Sequence, residues 1–410
     1  MSVDAAREVG DDRAVGEPEL RVLSESEYFA ANELFRQALL LPATDEETWS
    51  AHTRAMMEPG RVLGTFVDGE IAGTALSMTS SLAVPGGAVV PAAAVTGVAV
   101  RADATRQGLL TRMMRHQLDD AARRGEVVAM LHASEGGIYE RFGYGVACRT
   151  RTVEIDRARA RMRDSVPRGG RVRLITRERA AEVLPELHET CSVGRAGWMH
   201  RPEGWWPARA GVMKKDHVIA VHADESGVDD GFAVYQTRGE TTAVDVWDLV
   251  AANEVAAVEL WRFLLGIDLV TTVAGLGRPV DEPVEWWLAD RRACRTTGVD
   301  DDLWVRLVDV PAALRARSYG GGARLVLEVT DGFLPANAGR YLIGPDGVTT
   351  ADESPQLTLD AAALASLHLG DQPASALAAA GLVQVHEPAA LAVADQLFQT
   401  RRAPWCGTGF

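Results

Sequence analysis

The sequence predicts an α+β protein of two or three domains. Three observations lead there. A chain of 410 residues is longer than one hydrophobic core usually serves. From Val95 to Leu131 an apolar run, a polar break, a helical pattern and a second apolar run follow one another, which reads as strand, tight turn, helix, strand. Before that unit stand hairpin signals of antiparallel strands, and after it strand and helix patterns restart in two further sections.

The elements can be justified in order. Leu20 to Leu23 reads as a first strand. Ser24 with Glu27 three residues on makes a capping box for a helix through Leu40, and Pro42 closes it. Asp45 to Met57 reads as a second helix, carrying Trp49. Strands at 61–67 and 71–77 flank Asp68-Gly69, a hairpin turn signal. Pro85-Gly86-Gly87 turns the chain into the apolar stretch 88–100. Gly108 then opens a helix with Leu110, Met113, Met114, Leu118, Ala121 and Ala122 at helical spacing. Arg123 and Arg124 occupy its last turn, Gly125 ends it, and 127–131 reads as a buried strand.

Residues 157–170 are charged, carry Pro167 and Gly169-Gly170, and read as a linker. A strand at 172–175 and a helix at 177–188 open the next section. Strand candidates follow at 218–222, 232–236 and 243–250, then a helix capped by Asn253. The third section begins with an apolar stretch at 303–308. Strands at 324–329 and 341–343 follow around Asp331-Gly332, then a strand at 357–359 and helices at 360–367, 373–380 and 388–398. Residues 402–410 have no regular pattern and read as a frayed tail.

The net charge of −15 argues against general nucleic-acid binding and suits a polycationic substrate, although it also simply keeps a protein soluble. Cys148, Cys191, Cys294 and Cys406 are far apart and lack metal-ligand spacing, so no metal is expected and a reducing, cytoplasmic setting fits. No apolar run reaches membrane-spanning length, and residues 1–17 read as a flexible tail without the apolar core of a signal peptide. No membrane partner is expected.

The turn over 101–108 carries the chemistry. A helix start leaves backbone N–H groups without partners, and its dipole is positive outward. Gly108 lets a ligand come close to the backbone, so a pyrophosphate fits there. A plain strand–helix connection accounts for the same residues.

Two stretches, VAVRADATRQGLLTRMM and LHASEGGIYERFGYG, resemble the Eis (enhanced intracellular survival) family of GNAT-type N-acetyltransferases. The first is similar to the pyrophosphate loop of that fold, Arg or Gln, two residues, Gly, one residue, Gly or Ala. It departs at Thr105 in the leading slot and Leu110 in the last. The second, from His132 through Tyr139 to Gly145, is the more specific.

The resemblance implies two GNAT-type α/β domains, the second degenerate, and a sterol-carrier-protein-like domain. Their expected spans are 18–156, 157–298 and 299–410. It also implies acetyl-CoA as acetyl donor, held by Val98, Val100, Thr105, Arg106, Gln107, Gly108, Leu109, Leu110 and Ser134. Gly275-Leu276-Gly277 does not open a helical pattern, so no cofactor is expected in the second domain. Tyr139 takes the place of the catalytic acid, with Tyr144 its competitor. The C-terminal carboxylate of Phe410 becomes the base, on a tail that threads back to the active site. Trp49, Thr96, Gly97, His132 and Glu135 would line the amine pocket, with Gly97 widening it. Gly409 stands where related chains carry an acid.

The acceptors implied are primary amines of polycations such as polyamines or aminoglycosides, acted on by a homo-hexamer. Acetylation of protein lysines is an alternative, as is a non-catalytic acyl-CoA or apolar-ligand carrier. The pairs Trp205-Trp206 and Trp286-Trp287 suit a pocket, a subunit contact or plain core packing.

Overall fold

The computed structural model of the protein describes residues 17–410 apart from 193, 214, 215 and 240. Of the expected N-terminal tail, residues 1–16 lie outside that range. The described residues form three sheets. The first begins with four antiparallel neighbours, β1 (Glu19–Val22), β2 (Val62–Val67), β3 (Glu70–Ala83) and β4 (Val89–Val100). Between β1 and β2 come helices α1 (Tyr28–Ala38) and α2 (Glu46–His52). The capping box at Ser24 and Glu27 forms, with the Ser24 N–H donating to Glu27 Oε2 at 2.9 Å. Asp68 and Gly69 take φ of 52° and 82°, as a tight hairpin between β2 and β3 requires. Helix α3 (Leu109–Arg123) then carries the chain to β5 (Val128–Leu131), parallel to β4. Met113, Met114 and Leu118 of α3 are fully buried, the apolar face that a crossover helix lays on its sheet.

Next come β6 (Gly145–Val146) and β7 (Arg149–Asp156), one extended run shared by two sheets. A second run, Cys294–Asp301 and Trp304–Leu307, lies antiparallel beside it, with Cys294 opposite Ile155, Asp301 opposite Arg149 and Trp304 opposite Val146. One two-stranded ribbon thus passes through both sheets. This shifts the boundaries read from sequence. Strand β7 belongs to the second sheet, not the first, and Trp304–Leu307 completes the first sheet between β5 and β6, not the third section. Apolar content marks a buried strand but does not reveal a partner some 150 residues away.

The second sheet runs from Cys294–Asp301 through β7 to Thr272–Pro279, Ala243–Ala251, Asp229–Thr237, Val218–Ala223 and Arg171–Ile175. Strands Ala243–Ala251 and Thr272–Pro279 are parallel and joined by helix Glu254–Gly266, which repeats the β4–α3–β5 unit. Asn253 caps that helix through Oδ1, accepting from the Ala256 N–H at 2.9 Å. The stretch expected as a linker is instead tied to this domain. Arg157 N–H donates to the Thr271 carbonyl at 3.0 Å and Arg163 N–H to that of Trp287 at 2.9 Å.

The third sheet has five strands, and its apolar face joins the first domain in one core, where Val62, Leu76 and Met130 share a cluster with Leu325, Leu359 and Leu364. Arg306 on the inserted strand meets Asp331 of the third domain at 2.6 Å, both side chains out of water. The backbone N–H groups of Phe333 and Leu334 donate to the other oxygen of Asp331 at 3.0 and 2.8 Å. Removing one partner of a buried pair of this kind costs several kcal/mol, about 3–5, because the other charge is left uncompensated.

His188 and His368 are fully buried. Burial first, then the guanidinium of Arg201 or Arg317, holds their pKa at about 4 and about 3, below the ordinary 6.5. In the unfolded chain each takes up a proton near pH 6.5, and in the fold only near 4 or 3. Between those limits the unfolded state binds more protons, so stability is full above 6.5 and drains away as pH falls toward 3. The melting temperature should fall across that window, and His368→Gln should flatten its lower part. A melting temperature constant from pH 6.5 to 4 would contradict this.

Candidate active site

Strands β4 and β5 pair only at Ala92–Val128, Ala93–Ala129 and Ala94–Met130. Beyond Ala94, β4 runs on to Val100 without β5, so the two strands open a cleft at their C-terminal ends. Against β3 the register slips between Thr74 and Leu76, with an extra residue in β4. That bulge is at Gly97, whose φ is +60°. A Cβ at Gly97 would lie 2.8 Å from Leu76 Cδ2. The left-handed backbone at this bulge favours a glycine at position 97 on conformational grounds alone. Val98 and Val100 lie half-buried on the free end of β4, against the core beneath α3.

The loop into α3 is shaped by two left-handed residues, Arg106 at φ 63° and Gly108 at φ 80°. Alternation of this kind turns successive N–H groups toward one point and makes a concave anion site, here at the start of a fifteen-residue helix. Thr105, Arg106, Gln107 and Gly108 are exposed, and no atom lies within 4 Å of where a Gly108 Cβ would be. Leu109 points its side chain into a small core with Val67, Ala72 and Ala104, and Leu110 leans on the core under α3. What the loop offers a ligand is thus backbone, and a pyrophosphate fits it. The departures at Thr105 and Leu110 leave that offer intact.

After β5 the chain passes Ser134 and Glu135, both exposed, and turns into Tyr139. The Tyr139 ring is 5% exposed and sits edge-on to Tyr144 at 5.9 Å. Burial, then the Glu135 carboxylate, pushes the Tyr139 hydroxyl up to about 12, so it stays protonated at neutral pH. Tyr144 is fully buried, with its hydroxyl unpartnered among the described residues. Gly143 takes φ 84°, and a Cβ there would lie 2.7 Å from Arg306 Cζ. The FGYG run is thereby explained as packing over the buried arginine.

The C-terminal segment is not a frayed tail. Trp405, Cys406 and Thr408 are buried. Arg201 donates from Nε to Thr408 Oγ1 and from Nη2 to the Gly407 carbonyl, each at 3.0 Å. Trp205 Nε1 donates to the Gly409 carbonyl at 2.7 Å. The segment ends with the Phe410 ring edge-on to His132, centroids 4.8 Å apart. His132 follows directly on β5, so the chain terminus arrives at the cleft. A carbonyl only accepts, so His132 Nε2 donates to Thr408 O at 2.8 Å, and Nδ1 faces Asp302 Oδ1 at 3.4 Å.

Asp302 was not among the residues singled out from sequence. It sits where the ribbon crosses from one sheet to the other, its N–H bonded to the Cys148 carbonyl at 3.0 Å. Burial raises its carboxyl pKa, an effect that His132 opposes and Asp301 reinforces. Its Oδ2 is buried without a partner among the described residues. Asp302 also lines a cavity of about 150 Å³ with Asp248, Trp247 and tail residues Gly407 to Gly409. The acidic run Asp300-Asp301-Asp302 was the only signal in the sequence, and it did not tell which acid turns inward.

Thr96 is half-buried on β4. Trp49 is 3% exposed and packed on Phe29 at 5.3 Å, so it is a core residue and presents no open face to an amine. Trp205 holds the tail, and Trp286 is 56% exposed. No group of His, Cys, Asp and Glu among the described residues could hold a metal, and no helix among them is long and apolar enough to cross a membrane.

Comparison with known proteins gives the same arrangement. Residues 19–147 match an acetyltransferase (GNAT) domain, 197–307 a second acetyltransferase (GNAT) domain model and 310–407 a sterol carrier protein domain. The chain is 39% identical over 378 residues to an uncharacterized N-acetyltransferase of Streptomyces avermitilis, covering 87% of this chain and 90% of that protein. It is 35% identical over 347 residues to the N-acetyltransferase Eis of Mycobacterium bovis, covering 80% and 83%. The crystal structure of Eis1 from Mycobacterium abscessus superposes with a TM-score of 0.87 at 37% identity, covering 96% of this chain and all, 100%, of that one. With its paired GNAT domains, its sterol-carrier-type third domain and relatives of this likeness along most of its length, the chain belongs to the Eis family of GNAT N-acetyltransferases.

Proposed function

We propose that this chain moves the acetyl group of acetyl-CoA to a primary amine of a small polycation, with polyamines and aminoglycosides as the compounds to test. The observation that carries the reading is the chain terminus seated against His132 at the mouth of the β4–β5 cleft. The amine is largely protonated at neutral pH and must lose a proton before it attacks. The Phe410 carboxylate is the base that removes it, directly or through water. Asp302, with an unpartnered oxygen beside His132, is the second negative group that draws the cation in. Backbone N–H groups on β4 past the Gly97 bulge polarise the acyl carbonyl as the negative charge develops. Tyr139 gives its proton to the departing thiolate, and its raised pKa keeps that proton available across the working range. The loop of Arg106 and Gly108 holds the pyrophosphate of the donor.

Each part loses a different kinetic constant. Gly108→Val forces a β-branched residue into a left-handed backbone at a cost of about 1–2 kcal/mol, and should weaken acetyl-CoA binding roughly tenfold while the amine constants hold. Tyr139→Phe, deletion of Phe410, and residues added after Phe410 should each cut turnover about a hundredfold with acetyl-CoA affinity unchanged. A C-terminally extended chain as active as the untagged one would remove the terminal carboxylate from the mechanism.

Asp302→Asn keeps shape and removes charge. It should raise KM for a polyamine more than tenfold and that for a monoamine far less, because only the former has a second cation to place. Equal effects on both amines would exclude Asp302 from recognition.

Assembly as a hexamer belongs to the same proposal. The exposed Trp286, with Arg291 stacked over it at 3.4 Å, supports a subunit contact in the second domain. Light scattering at micromolar concentration should return the mass of six chains, and a monomer would refute the hexamer.

A further inference from the structure

The second domain contains the same kind of cleft as the first. Strands Ala243–Ala251 and Thr272–Pro279 pair from Ala243–Thr272 to Val246–Gly275, and past that point they separate. In the first domain the corresponding opening is where the acyl donor would enter. In the second, side chains close the part next to the paired residues, and a cavity of about 430 Å³ lined by Leu249, Asn253, Arg278 and Trp405 remains beside them. Arg278, held by Glu282 at 2.7 Å, reaches across and donates to the Leu249 carbonyl at 2.8 Å. The indole of Trp405 enters from the C-terminal segment and donates to the Gly277 carbonyl at 2.9 Å. Both carbonyls lie beyond the last paired residues of their strands.

The surroundings are built for this occupant. Trp405 is 5% exposed and belongs to the core of the second domain, not of the third that precedes it in the chain. A Cβ at Gly197 would lie 2.9 Å from the Trp405 nitrogen, and one at Gly407 would lie 2.4 Å from the indole ring. Gly407 takes φ 64°, so the segment folds back over its own tryptophan. The Trp405 N–H donates to the Ala196 carbonyl at 2.8 Å, and the Ala403 N–H to Asp281 at 2.9 Å. Arg201, fully buried and paired with Asp248 at 2.9 Å on the edge of the same cleft, holds the next turn through Gly407 and Thr408.

We propose that the cleft of the second domain is a receptor for the C-terminal segment of the chain itself, and that Trp405 and Arg201 are positioning residues for the Phe410 carboxylate. The receptor stands on the contacts above. The positioning role rests on the reading of that carboxylate as the base.

The test uses the full chain without a tag. Trp405→Phe keeps the ring and loses the indole N–H, and Thr408→Val keeps the shape and loses the hydroxyl held by Arg201. Each should speed hydrogen exchange in residues 403–410 about fivefold, the weight of one hydrogen bond. Each should lower turnover by a similar factor, with acetyl-CoA affinity unchanged. The deficit should shrink as pH rises, because free amine then needs no base. Trp405→Ala should free the segment altogether, with exchange faster by at least about tenfold. Exchange unchanged in Trp405→Ala would overturn the receptor. A turnover deficit that is the same at every pH would overturn the positioning role. Faster exchange with turnover intact, in a chain whose C-terminal extension is also harmless, would support the receptor and reject the carboxylate as base.

Discussion

The ribbon formed by residues 145–156 and 294–305 constrains the rest of the molecule. Its two strands hydrogen-bond to each other while each half also completes a different sheet. The first two domains therefore cannot turn independently without breaking backbone hydrogen bonds. At the crossing, Ala147, Cys148, Asp302 and Leu303 are exchanged between sheets, and the N–H groups of Ala147 and Cys148 both donate to Leu303 O. Asp302 is delivered to the seam by that geometry, within reach of His132 at the end of β5.

The third domain has its place in the same logic. It shares one core with the first domain and is pinned by Arg306 and Asp331, so its last helix, Ala389–Phe398, ends at a set distance from the seam. The remaining dozen residues then reach the second domain and return to the first. A terminal carboxylate carries its charge without any side chain of its own. On the proposed reading of that carboxylate as the base, its placement depends on how well the preceding residues are held, and here Arg195, Arg201 and Trp205 all donate to the backbone or side chains of that segment.

Several of the charges involved are buried, yet they are paired. Arg61 and Glu126 meet at 2.7 Å, Arg201 and Asp248 at 2.9 Å, and Arg306 and Asp331 at 2.6 Å. Pairs of this kind add little net stability over apolar residues of the same volume, because desolvation offsets the attraction. Asp302 differs from them in facing a histidine, His132 at 3.4 Å, and not an arginine, with its Oδ2 buried and unpartnered among the described residues.

The sequence by itself determined the local features. The capping box at Ser24, the Asp68-Gly69 hairpin and the Asn253 cap rest on contacts within a few residues, and the strand–loop–helix–strand unit shows in its apolar period; all appear in the structure. Gly108 was legible for the same reason, because a helix start with a left-handed glycine before it is a local matter. Tertiary structure decided everything that depends on distant pairing. It moved β7 and Trp304–Leu307 between sheets, buried Trp49, gave Gly97 to a bulge and chose Asp302 from a run of three acids. It also turned an unpatterned C-terminal stretch into an ordered one. That segment has no periodicity because it makes no regular element, and its order comes from distant partners, His132, Arg195, Arg201, Trp205 and the second-domain cleft. Period and capping report what a residue does with its neighbours in the chain. The site is made of residues that meet only after three domains have packed.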